Sequence, residues 1–80
     1  KYLKLNFTIV LDSEETQAEI GQRKAQVRDI VISICRTKNS EELREKEGNI
    51  NLRNEIITAI NDILPKGKVI DIFFTDFIVT

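Results

Sequence analysis

Two aspartates set in an apolar run, Asp71 and Asp76 of VIDIFFTDFIV, are the residues whose type and spacing come nearest to chemistry. A carboxylate pair hydrolyses glycosidic and related bonds when a cleft keeps one acid protonated and the other ionised. The same acids have a plainer role open to them. A charge blunts an exposed sheet face, and a charge inside a hydrophobic strand interrupts aggregation. Phe73 and Phe77 stand beside them. Two exposed rings together would mark a partner site, whereas rings under other elements would be core. Asp71, Phe73, Asp76 and Phe77 are therefore the candidate interaction surface. The sheet face around Asp71, Phe73 and Asp76 also carries the alternative reading, a small ligand-binding or hydrolytic domain.

The other reactive residue types offer less. Cys35 is the sole cysteine and there is no histidine, so nothing is available to activate a thiolate, and a cysteine or histidine metal site is excluded by count. Cys35 falls on an apolar helical stripe, where it reads as a small hydrophobe. Glu14-Glu15, Glu41-Glu42 and Glu45 with Glu47 belong to solvated helix starts, without the spacing of a calcium loop. Gly21, Gly48 and Gly67 each stand alone, so they form no phosphate loop. Twelve basic and thirteen acidic residues leave a net charge of -1. The basic residues are dispersed rather than interleaved with aromatics, which argues against a nucleic-acid partner. A non-enzymatic domain built for contact is expected, without cofactor or metal.

The elements that must position these residues follow from periodicity. Residues 2–11, YLKLNFTIVL, alternate strictly, with Leu3, Leu5, Phe7, Ile9 and Leu11 on one face of a half-buried strand. Residues 69–79 form the second strand, which the composition places at the centre of the sheet. Within it Ile70, Ile72 and Phe74 share one face and Val69, Asp71, Phe73, Thr75 and Phe77 the other. A bulge near Thr75 and Asp76 would move Phe77 and Val79 to the core side. Between the strands, a helix is predicted from Glu14 to about Arg36, capped by Asp12 or Ser13 and weakened in its first turns by Gly21. A short helix follows from Ser40 to Gly48, anchored by Leu43. A third runs from a cap at Asn49 or Asn51 to Leu64, with Leu52, Ile56, Ala59, Ile60, Ile63 and Leu64 on its stripe.

Lengths fix the path. A ten-residue strand and a helix of about 22 residues both span roughly 33 Å, so each return brings the chain back along the first strand. The expected fold is α+β, a single domain over residues 1–80 in the order β-α-α-α-β, its antiparallel strand pair covered on one face by helices. A two-stranded ribbon is marginal and leaves edges unpaired, so a further strand is expected, from upstream of residue 1 or from a neighbouring subunit. Because Lys1 opens directly into a strand pattern, the sequence reads as a fragment of a longer protein, with room upstream for a targeting segment or membrane helix.

This order of features resembles a known family. YLKLNFTIVL, RKAQVRDIVISICRTKNSEELREKEG, LRNEIITAINDIL and VIDIFFTDFIV look like the C-terminal domain of the flagellar basal-body-associated protein FliL family, across essentially the whole chain. The most telling parts are Arg28-Asp29-Ile30, the link from Glu41-Glu42-Leu43 to Gly48, and Phe74-Thr75-Asp76-Phe77, where the family often has Glu in place of Asp76. The sequence departs from the pattern in ending at Thr80, where glutamine is common, and in lacking the family's upstream strand and membrane anchor. The resemblance implies a fold similar to stomatin-type domains, on the periplasmic side of the inner membrane, tethered there by one upstream helix. It further implies a homo-oligomeric ring around the flagellar stator proteins, supporting their engagement and torque. No catalytic residues are implied.

Overall fold

A computed structural model describes residues 2–80. The elements are β1 (Leu3–Leu11), α1 (Glu14–Gln22), α2 (Lys24–Cys35), α3 (Ser40–Arg44), α4 (Lys46–Ile63) and β2 (Val69–Val79). The fold is α+β, and β1 and β2 pair antiparallel in a two-stranded sheet. β1 follows its alternation: Leu3, Leu5, Phe7, Ile9 and Leu11 are half-buried, while Lys4, Asn6 and Thr8 are exposed.

β2 is less regular, because it carries two residues more than its partner can match. Asn6 pairs with Asp76 and Phe7 with Phe74, so Thr75 bulges; Val10 pairs with Asp71 and Leu11 with Val69, so Ile70 bulges. The bulge at Thr75 is the one expected from sequence. It restores the alternation and brings Phe77 and Val79 against the core. The bulge at Ile70 corrects the expected face: Val69 is buried, whereas Ile70 is 62% exposed and turned from the core. A run of Val and Ile carries no parity signal, so its register is decided by tertiary partners. The central position expected for β2 depends on a further strand outside the described residues. The sheet has two strands among the described residues, and the Asn61 side chain of α4 binds the backbone at the start of β2. Asn61 accepts from the Val69 N–H at 2.7 Å and donates to the Val69 carbonyl at 3.2 Å, standing where a neighbouring strand would pair.

The helical layer is broken at places the sequence marks only weakly. α1 starts at Ser13, whose Oγ accepts from the Thr16 N–H. The single helix expected to Arg36 is two helices: at Arg23 the backbone leaves helical geometry, and its N–H reaches back to the carbonyls of Glu19 and Ile20. The Glu19–Arg23 ion pair forms as expected, at 2.6 Å, across this break. α3 is capped by Asn39, which forms a reciprocal capping box with Glu42. Gly48 does not end a helix. It lies in the first turn of α4, against the Glu42 carbonyl, where a Cβ would collide with backbone. Extended backbone at Glu45 makes the separation instead.

α4 supplies the middle of the core. Its Leu52, Ile56 and Ile60 are fully buried, as is Ile72 of β2. Each such side chain contributes about 1.5–3 kcal/mol by leaving water. Leu43 of α3, Val27 and Val31 of α2 and Val69 complete the buried cluster, and the odd-numbered row of β1 packs along it. All helices lie on this one side of the sheet, which leaves the other side open.

Candidate functional site

The open side of the sheet is built by cross-strand pairs. Lys4 faces Ile78, Asn6 faces Asp76, Thr8 faces Phe73 and Val10 faces Asp71. The Thr75 bulge is what aligns Asp76 with Asp71 and Phe73; unbulged alternation would put it on the other face. Asp71, Phe73 and Asp76 are thus brought together, and Phe73 is 53% exposed. Phe77 is not with them. Its ring packs among core residues with its centroid 5.3 Å from that of Phe74, so its placement in the candidate surface is corrected. The side chains of Tyr2, Ile70 and Ile78 add to the exposed apolar area of the strands.

Both aspartates accept hydrogen bonds on this surface. Asn6 Nδ2 donates to Asp76 Oδ2 at 3.0 Å, and the Ile72 N–H donates to Asp71 Oδ1 at 2.8 Å. Neither has a Lys or Arg partner among the described residues. They flank an exposed ring on a flat face rather than opposing each other across a cleft. The arrangement suits adhesion to another surface, and offers no enclosed space for a substrate.

Concavity is found on the opposite, helix-bearing side. A groove of about 1140 Å³ runs between β1 and α2, floored by Leu3, Leu5, Phe7 and Ile9 and walled by Val27, Val31 and Cys35. Its rim is basic: Lys24, Arg28 and Arg36 all line it, with Ile32 among them. Burial pushes the Cys35 thiol up, against the smaller opposing effect of Lys38, so the thiol stays protonated at neutral pH. Lys38 itself pairs with Glu55 at 2.6 Å, and that hydrogen bond raises its pKa.

A polar clamp holds the end of the sheet near the start of β2. Asp12 Oδ1 accepts from Thr16 Oγ1 at 2.6 Å and Asp12 Oδ2 from the Lys68 N–H at 3.0 Å, while the Asp12 N–H donates to the Lys68 carbonyl. These bonds, that to Thr16 foremost, hold the Asp12 carboxyl below its usual range. Gly67, at φ +72°, lies against the Thr16 side chain, where a Cβ would collide, and its backbone conformation leads Lys68 to Asp12.

Sequence reasoning missed Asn61 and the α2 rim. Asn61 lies on a helix and bonds to a strand, for which local pattern holds no sign. The rim had one: Lys24, Arg28, Ile32 and Arg36 recur every four residues, the spacing of a single helical stripe. Among the described residues no group of three acidic or cysteine side chains converges as a metal site, and no helix is long and apolar enough to cross a membrane.

Comparison with known proteins places these surfaces in a family context. The family model described as flagellar basal body-associated protein FliL matches residues 1–79. The chain is 31% identical over 78 residues to the flagellar protein FliL of Aquifex aeolicus (strain VF5), a match covering 98% of this chain and 48% of that protein. It is 29% identical over 75 residues to the flagellar protein FliL of Bacillus subtilis (strain 168), covering 94% and 54% respectively. The chain spans about half the length of these relatives.

Proposed function

Since the chain belongs to the family of flagellar basal body-associated FliL proteins, we propose that it is a non-enzymatic scaffold domain of the flagellar motor, self-associating into a ring around the stator. In this reading it lies on the periplasmic side of the inner membrane, tethered by a segment upstream of residue 1. A further strand, from that segment or a neighbouring subunit, extends the sheet. The domain binds the engaged stator conformation better than the idle one. It shifts the stator population by the difference in affinity, with no bond made or broken, and so supports torque in swimming and swarming.

The observation that carries this reading is the uncovered sheet face. An exposed ring flanked by carboxylates, with further apolar side chains on the same strands, is the make-up of a contact surface. The family match supports the flagellar setting. The test is genetic: cells lacking the domain are expected to lose swarming and to carry fewer engaged stators per motor, counted by fluorescence of labelled stator units. Normal swimming, swarming and stator occupancy in such cells would refute it.

A further inference from the structure

We infer that α2 of one copy packs across the open sheet face of the next, with Arg28, Ile32 and Arg36 set against Asp71, Phe73 and Asp76. This contact presupposes the self-association proposed above and assigns it two surfaces. Arg28 and Arg36 form no ion pair among the described residues, and neither do Asp71 and Asp76. Ile32 is 42% exposed and Phe73 53%, so each surface also holds an apolar side chain in water.

The spacings match. Arg28, Ile32 and Arg36 are two four-residue steps along one helical stripe, about 6 Å each and about 12 Å overall. Asp71, Phe73 and Asp76 are successive outer-face positions of β2, the Thr75 bulge being skipped, and span roughly 13 Å. Each triplet has a hydrophobe at its centre and a charge at either end, and the charges are of opposite sign. An isologous contact between two α2 rims would instead set guanidinium against guanidinium.

The geometry also makes the contact heterologous. α2 belongs to the helical layer and Phe73 to the opposite side of the sheet, so each copy uses one surface toward each of two neighbours. Such contacts propagate, closing into a ring when the rotation per copy allows it. A helix laid on the bare sheet face removes the Phe73 ring and its apolar neighbours from water.

Sedimentation velocity of the full chain from micromolar to millimolar concentration tests the contact, and rising salt should weaken association because the paired charges lie near solvent. The double variant D71R/D76R and the double variant R28D/R36D are each expected to associate at least about tenfold more weakly, with thermal melting unchanged in R28D/R36D and lowered only slightly in D71R/D76R by loss of the bonds from Asn6 and the Ile72 N–H. The chain bearing all four substitutions should recover association. An equimolar mixture of the two double variants should also recover association, with the two alternating, because the α2 of each is complementary in charge to the sheet face of the other. Wild-type association that survives each double variant would overturn this pairing of surfaces while leaving the self-associating scaffold intact. A wild-type chain that stays monomeric at millimolar concentration would overturn both.

Discussion

Phe73 and Phe74 are consecutive in β2 and identical in chemistry, yet they live in different solvents. Phe74 meets Phe7 edge-on, at a centroid distance of 6.3 Å, beneath the helices. Phe73 meets Thr8 on the bare face and keeps 53% of its surface in water. The sheet has two faces and one helical layer, so one face is stabilised from within and the other awaits a partner. Aromatic content therefore says little about which side is core. What decides is which side another element covers.

The contrast can be broken from the core side first. Ile56→Ala should cost about 2–5 kcal/mol, the range for a large-to-small change in a well-packed interior, read from urea unfolding. Deleting Thr75 and Asp76 together should come next, at about 3 kcal/mol, because losing two residues where the bulge holds one extra turns Phe77 and Val79 outward and Ile78 inward. Protection of the β1–β2 amides from hydrogen exchange would report whether the distal end of the ladder is lost. Asn61→Leu should cost about 2 kcal/mol, since it strips both backbone groups of Val69 of their side-chain partner. Phe73→Ala, made one residue from a core position, should change stability by only about 0.5 kcal/mol or less. A large loss there would mean that the open face is covered within the chain.

The smallest effect sharpens the picture at the clamp. Asp12 has its folded pKa lowered from 3.8, so the stability it confers is present above that value and is lost as the pH falls through the lower folded value. Thermal melts between pH 2 and pH 5 should show an acid-side slope that Asp12→Asn removes in part. The slope should be absent near neutrality, where the carboxyl is ionised in both states.

Reading the chain alone recovers the elements whose pattern is strict. The alternation of Leu3 to Leu11 and the four-residue recurrence of Leu52, Ile56 and Ile60 are repeated local signals, and both fold as they read. The Thr75 bulge was legible for a related reason: Asp76 breaks an otherwise hydrophobic row, and skipping one residue mends it. Gly48 and Gly21 misled because a glycine signals permissiveness without saying what it permits. One accommodates the Glu42 carbonyl, and the other has nothing near it. Of the candidate surface, Asp71, Phe73 and Asp76 share a face because the same bulge aligns them, and it sends Phe77 to the core.

What the amino-acid order determined by itself is the inventory: two strands, helices between them, an apolar stripe for each, and acids embedded in the last strand. These depend on side-chain period, which is a property of neighbours in sequence. The tertiary structure alone decided the face on which Ile70 lies, the side chain that meets the start of β2, and the contrasting fates of Phe73 and Phe74. Those outcomes depend on contacts between residues far apart in the chain, Asn61 to Val69 and Asp12 to Lys68 among them. Local periodicity holds no record of such distances.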